Sequence, residues 1–184
     1  MENNQHHSGA LSPEMALLGL LYGGPNHGYE LHRIVVTDLG HVWHISQSQA
    51  YAILKRLEAR GDISAQEISQ ERLPPRQLLH MTGAGREHFQ EWLDASSGGS
   101  ARAIRMEFVT RLYFLRLYMP EKIGPAFERQ RAEAKTHIQR LEKLYAELPE
   151  DQVYNRMSLD LRVKQLNSVL EWLDACLQYF PAES

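Results

Sequence analysis

The chain is short of several things at once. It has one cysteine, Cys176, in 184 residues, so an internal disulfide is excluded and a thiolate metal site has no basis. Cys176 sits in an apolar helical pattern, which reads as a buried, inert thiol. No uninterrupted apolar run approaches the roughly 20 residues that span a bilayer. The polar start, Met1-Glu2-Asn3-Asn4-Gln5, lacks both the basic and the apolar stretch of a secretory signal, so a cytoplasmic protein with no membrane partner is expected. Positive charge is also scarce: residues 1–95 carry seven Lys or Arg against eleven Asp or Glu. Overall charge therefore gives that half no attraction to nucleic acid, and any such affinity has to come from a local patch. A glycine-rich phosphate loop, a nucleophile elbow and a paired-acid arrangement are all missing, so neither catalysis nor a cofactor is expected.

What the sequence has is clear punctuation. Residues 1–10 are polar, include His6-His7, and read as a flexible arm. From Leu11, Met15, Leu18 and Tyr22 recur at helical spacing, with Leu17 and Leu21 widening the stripe. Ser12 as N-cap, Pro13 at the first helical position and Gly23-Gly24-Pro25 bound this first helix. A second follows Gly28, carries Tyr29, Leu31, Ile34 and Val35, and stops near Gly40. A third spans Ser46–Gly61: Ser46 and Gln49 make a capping box, Ala50, Ile53, Leu54 and Leu57 form the apolar stripe, and Gly61 closes it. Ile63–Glu71 and Gln77–Met81 read as strands joined by Arg72-Leu73-Pro74-Pro75-Arg76, a tip that proline keeps out of the pairing. Thr82 then caps a helix holding Phe89, Trp92 and Leu93. Three helices, a hairpin and a helix within about 85 residues are the order of a winged helix-turn-helix, here assigned to residues 11–95.

Ala95-Ser96-Ser97-Gly98-Gly99-Ser100 is a linker by composition, and residues 96–101 are assigned to it. Residues 102–184 read as helical throughout. Ile104, Phe108, Leu112, Leu115 and Met119 form one seam, ended by Pro120. Ala134, Ile138, Leu141, Tyr145 and Leu148 form a second before Pro149. Leu159, Val163, Leu166, Leu170, Leu173 and Leu177 form a third before Pro181. Such seams suit either an intramolecular three-helix bundle or a coiled-coil-like dimerisation domain. Val169 and Trp172 broaden the last seam beyond what one partner helix needs, which favours a homodimer through these helices. The fold class is thus mainly α: an N-terminal winged helix-turn-helix and a C-terminal helical dimerisation domain.

In a winged helix the third helix enters the major groove of duplex DNA, with polar side chains near its N-terminus at base edges. Opposite the apolar stripe lie Ser48, Ala52 and Lys55, flanked by Tyr51 and Arg56. Gln47 and Gln49 stand in the first turn, where free N–H groups favour phosphate oxygens. Arg72 and Arg76 bracket the wing tip and suit a phosphate or minor-groove contact. Gln49 is explained equally well by capping alone, and Tyr51 can pack its ring on the hairpin while its hydroxyl reaches phosphate. Arg60 lies nearer the buried side and reads as structural. Tyr22, Trp43, His44 and Tyr113 are candidates for a small-ligand cavity, although aromatics at helical spacing also serve as core. His41-x-x-His44 has ligand-like spacing, but without cysteines or nearby carboxylates no metal site is assigned. The competing reading, supported by the acidic first half, is an adaptor whose winged helix binds protein instead of DNA.

Five pieces in order carry a family resemblance: Ala16-Leu17-Leu18-Gly19-Leu20-Leu21, Gly28-Tyr29-Glu30-Leu31, Tyr51 through Gly61, Thr82-Gly83-Ala84-Gly85-Arg86, and Trp92-Leu93. Residues 11–95 resemble the PadR family of bacterial regulators. Gln47-Ser48-Gln49 stands where many members have Pro-Gly-Thr. Together with Trp43 this is similar to the branch of phenolic-acid-responsive repressors and virulence-gene activators. Phe108 and Trp172 give the second half a looser similarity to that branch's carboxy-terminal domain. The resemblance implies a dimer on an inverted-repeat operator, acting as a repressor and released by a small aromatic ligand held between the two domains. Leu73-Pro74-Pro75 departs from the basic or glycine-containing wing tip common in the family.

Overall fold

Side-chain caps at Ser46 and Thr82 and a left-handed Gly61 mark some of the element ends in the first half. In the computed structural model, which describes residues 11–68 and 76–180, α1 spans Glu14–Leu20. Pro13 occupies the N-cap position, with no side-chain cap, so Ser12 lies one residue outside the place expected of it. Proline suits this entry because its fixed φ matches the first turn and its missing N–H would have been unpaired anyway. The chain then forms β1 (Asn26–His27), α2 (Gly28–Asp38), α3 (Gln47–Ala59), β2 (Ile63–Ile68), β3 (Arg76–Met81) and α4 (Gly83–Asp94).

The three strands form one antiparallel sheet in the order β1-β3-β2. Ile63 pairs with Met81 and Ile68 with Arg76, while Asn26 and His27 pair with Leu79 and Leu78. β1 was not foreseen, since two residues carry no periodicity that would mark a strand. Arg76, expected at the wing tip, is the first residue of β3. The expected first strand, Ile63–Glu71, is described as far as Ile68; Arg72 and Leu73-Pro74-Pro75 lie outside the described residues.

The chain divides into two compact units, Met1–Leu93 and Asp94–Ser184. In the first, Leu17, Leu18, Leu31, Val35, Leu57, Phe89 and Leu93 are fully buried. Tyr22 and Trp92 flank Phe89, with ring centroids at 5.3 and 5.8 Å. Thr82 joins the sheet to α4: its hydroxyl donates to Gly61 O at 2.6 Å and accepts from Gly85 N at 3.1 Å, the cap expected of it.

The second unit starts with a single turn, α5 (Ala101–Ala103). It runs through a π-helical turn, Ile104–Phe108, into α6 (Val109–Tyr118). After a 3-10 turn at Pro120–Lys122 come the long helices α7 (Ile123–Glu147) and α8 (Val153–Cys176). Ile104, Phe108, Leu112 and Leu115 are buried as their spacing implies. Phe114, Thr110 and Arg111 are buried too, so α6 is enclosed on more than its seam. On α8, only Leu166, Leu173 and Cys176 are buried. Burial pushes the Cys176 thiol above its ordinary pKa, in keeping with an inert side chain. The segment read as a linker is tied to this unit: Ser97 is buried, and its N–H donates to Gln130 Oε1 at 3.0 Å.

Candidate nucleic-acid interface

α3 is a surface helix of the first unit anchored at both ends. Its N-terminus carries a complete capping box: Ser46 Oγ accepts from Gln49 N at 3.2 Å, and Gln49 Oε1 accepts from Ser46 N at 2.8 Å. Ala50, Ile53, Leu54 and Leu57 are buried, as the stripe requires. Gly61, with φ 84°, takes the chain out of the helix in a left-handed conformation that a side chain would strain.

Charged groups fix the helix on its flank. Glu14 of α1 accepts from Arg56 Nε and Arg60 Nη1, both at 3.1 Å. Arg60 Nε also donates to Asp62, whose side chain is fully enclosed and which accepts from His88 Nδ1 at 2.6 Å as well. Burial alone would raise the Asp62 carboxyl, but the hydrogen bonds and charges of Arg60 and His88 hold it below its ordinary value. Asp62 N further bonds Leu57 O at 2.9 Å, and Thr82 N bonds Asp62 O at 3.0 Å. One acidic residue therefore joins the end of α3, the start of β2 and α4. The carboxylates of Glu14 and Asp62 are in part structural, but they tie up Arg56 and Arg60 in return, so the acidic balance of the first half is unchanged.

The outward side of α3 exposes Gln47, Ser48, Gln49, Tyr51, Ala52, Lys55 and Arg56. These residues differ in how free they are. Gln49's amide oxygen is engaged in the cap and Arg56 is tied to Glu14, whereas Lys55 makes no ion pair among the described residues. Tyr51, 44% exposed, rests against the start of α2. A Cβ on Gly28 would stand 2.9 Å from Tyr51 Cε1, so only glycine leaves the ring that position.

Tyr51 and Lys55 share an open groove of about 830 Å³ with Arg76. Tyr29, His27 and Gln77 also line it, together with three carboxylates, Glu30, Glu58 and Glu67. Tyr29 is exposed, because α2 buries Leu31 and Val35 and turns Tyr29 outward. His27 and Gln77 were not anticipated. Their link is a contact between β1 and β3, His27 Nδ1 lying 2.8 Å from Gln77 O, and no local pattern announces it.

The small-ligand candidates have individual packing roles. Gln90 Nε2 donates to Tyr22 OH at 3.1 Å, and the Arg86 guanidinium lies 4.4 Å above the Tyr22 ring. Trp43 is buried, His44 is exposed, and Tyr113 stands edge-on to Phe114 at 5.1 Å. No group of three His, Cys, Asp or Glu suited to a metal ion occurs among the described residues. Among them, too, no helix is long and apolar enough to cross a membrane.

A helix-turn-helix, α2–α3, with a two-stranded wing packed behind it defines a winged-helix protein. Residues 17–91 match the model described as Transcriptional regulator PadR-like family, and residues 104–180 match Virulence activator alpha C-term. Among curated proteins, the chain is 25% identical over 133 residues to the "Negative transcriptional regulator PadR" of Bacillus subtilis (strain 168), covering 72% of each. Among solved structures it is similar to Bacillus subtilis PadR in complex with operator DNA. Identity is 23%, covering 91% of this chain and 98% of that one, with a TM-score of 0.45. It is also similar to Bacillus subtilis PadR in complex with p-coumaric acid, at 21% identity over 95% of this chain and 100% of that one, TM-score 0.41.

Proposed function

We propose that the protein represses transcription by binding duplex DNA as a homodimer, with α3 in the major groove and the β2–β3 wing beside it. The observation that carries this reading is the outward side of α3, where Gln47, Ser48, Tyr51 and Lys55 are exposed on a helix anchored by its cap, Glu14 and Asp62. Ser48 and Tyr51 are assigned to base edges and backbone, Lys55 to a phosphate, and Gln47 to the first-turn phosphate position. Gln49 and Arg56 remain assigned as secondary contacts, since each must first leave a bond inside the protein. Arg76 contacts backbone from the wing, and the assignment of Arg72 rests on sequence. The sign of regulation follows the Bacillus subtilis relative's description as a negative regulator.

Self-association is assigned to α8. Tyr154, Met157 and Leu161 are 87%, 63% and 56% exposed and follow one another at steps of three and four, an apolar stripe on a surface helix. A homodimer seated there would present two α3 helices to an inverted repeat, with half-site centres separated by about one helical turn or a multiple of it. Release by a small aromatic effector belongs to the same reading, with Tyr22, Trp43, His44 and Tyr113 as its candidates.

The test is retardation of the protein's own promoter fragment across a salt series. Wild-type affinity should fall steeply with salt. Lys55→Ala should weaken binding to every sequence and reduce the logarithmic salt slope by about 1. Affinity indifferent to salt would instead favour the adaptor reading.

A further inference from the structure

The segment Ala95-Ser96-Ser97-Gly98-Gly99-Ser100 has the composition of a free tether, yet from Ser97 onward it is fastened within the second unit. Ser97 is 3% exposed. Its N–H donates to Gln130 Oε1 at 3.0 Å, and its hydroxyl oxygen accepts from Arg111 Nη1 at 2.5 Å. Gln130 and Arg111 are each 1% exposed, so both bonds are made away from water, where a hydrogen bond is electrostatically stronger. Gln130 Nε2 also donates to Gly98 O at 3.3 Å, so one amide of α7 holds two consecutive residues. Ser100 Oγ accepts from Ala103 N at 3.1 Å and caps the turn that follows.

The two glycines supply fit, not slack. Gly98 has φ 69°, a left-handed conformation that favours glycine. Gly99 packs against His137 of α7: a Cβ there would collide with the ring at Cγ and Nδ1 and stand 2.8 Å from His137 Cβ. Those atoms lie close to the helix backbone and cannot swing aside as the end of a long side chain could. Burial and the charges of Arg162 and Arg140 hold His137 below its ordinary pKa, so near neutral pH the ring meets the glycine uncharged.

What is left free is short. α4 ends at Asp94, and only the exposed Ala95 and Ser96 separate it from the first fastened residue. Six free residues could reach about 20 Å, whereas two reach about 7 Å. One base pair inserted between two half-sites displaces them by roughly 3.4 Å and turns them by about 35°. A six-residue tether absorbs that change; a two-residue one resists it.

We propose that Gln130, Arg111 and Gly99 are specificity-determining positions for operator spacing: by fastening this strap they confine each α3 to one separation of half-sites. The inference rests on the DNA reading above and adds to it the residues that set the spacing.

Two measurements on the full chain test it: amide hydrogen exchange at Ser97, and retardation of promoter fragments whose half-sites, located first by footprinting, are moved one or two base pairs closer or further apart. In wild type the Ser97 amide should exchange slowly, and each change of spacing should weaken binding about tenfold or more. Gln130→Leu keeps the volume and loses both bonds; Gly99→Ala forces the strap off His137 without touching the core. Each should speed Ser97 exchange about tenfold or more and cut the spacing penalty to about threefold or less. Adding His137→Ala to Gly99→Ala removes the ring and should restore part of both. Fast Ser97 exchange in wild type, or slow exchange in both variants, would overturn the fastening. A freed strap with an unchanged spacing preference would overturn its part in recognition. Wild type that retards no fragment while Ser97 still exchanges slowly would remove the DNA reading, and the spacing role with it, but leave the fastening established.

Discussion

α3 and α8 are both surface helices with one buried side, yet α3 exposes mainly polar residues while the first turns of α8 carry an apolar stripe among polar ones. α3 exposes Gln47, Ser48, Lys55 and a tyrosine hydroxyl; α8 exposes Val153, Tyr154, Met157 and Leu161. The inward stripes are similar, so hydrophobic periodicity alone would rank the two helices as equivalents. The outward residues separate them. A polar side can stay hydrated and exchange its water for the polar edges of DNA, whereas an apolar side gains most by leaving water altogether. The lesson is that a helix's second side, once the first is accounted for by the core, indicates the chemistry of its partner.

That contrast can be broken first at the buried sides, where the largest effects are expected. Leu57→Ala in α3 and Leu173→Ala in α8 each remove a fully buried side chain and should cost about 2–5 kcal/mol, read as lower denaturation midpoints. If either is near neutral, that helix is not seated as described. The double substitution Met157→Glu with Leu161→Glu places two like charges on α8's outward stripe. It should yield monomers by sedimentation velocity without lowering the melting temperature of the monomer itself, and a persistent dimer would move the interface elsewhere.

Asp62→Asn is expected to cost about 2 kcal/mol, because Arg60 and His88 lose a charged acceptor. Its pH dependence is also fixed in sign. A carboxyl depressed in the folded state contributes stability above its unfolded pKa, roughly 4, and loses that contribution as pH falls through the folded value. Wild type should therefore lose stability below about pH 4 more steeply than Asp62→Asn, measured by urea unfolding across that range. The smallest effect comes from the cap. Ser46→Ala should destabilise by about 1 kcal/mol and also weaken promoter retardation, since Ser48 and Tyr51 depend on the first turn's geometry.

Legibility in the sequence followed the range of the interactions. α3 was readable almost to the residue, because capping, stripe and terminating glycine are all local. The helical seams of the second unit were readable as seams. The full length of α7 was not, because its start at Ile123 lies before the Ala134 repeat that marks it. What escaped was non-local. β1 exists only because β3 pairs with it, Tyr29 faces outward because Leu31 and Val35 take the inside, and Asp62 is buried through partners 2 and 26 residues away. Of the interface candidates, Ser48, Tyr51 and Lys55 were legible as an outward side. The pairing of Arg56 with Glu14, 42 residues earlier, was not.

That pairing has a consequence for discrimination. Glu14 occupies Arg56 and Arg60 together, leaving Lys55 as the cation of α3 without an ion pair among the described residues. On the proposed reading a polyanion of arbitrary sequence would meet little uncompensated charge on this helix, and indiscriminate adsorption, which scales with the number of cations offered, would be weak. Weak background binding widens the gap between a fitting site and the many competing sites of a genome, and that gap, more than raw affinity, decides where a regulator resides. If α3 meets DNA as proposed, a single carboxylate on the first helix would act as a filter on the third.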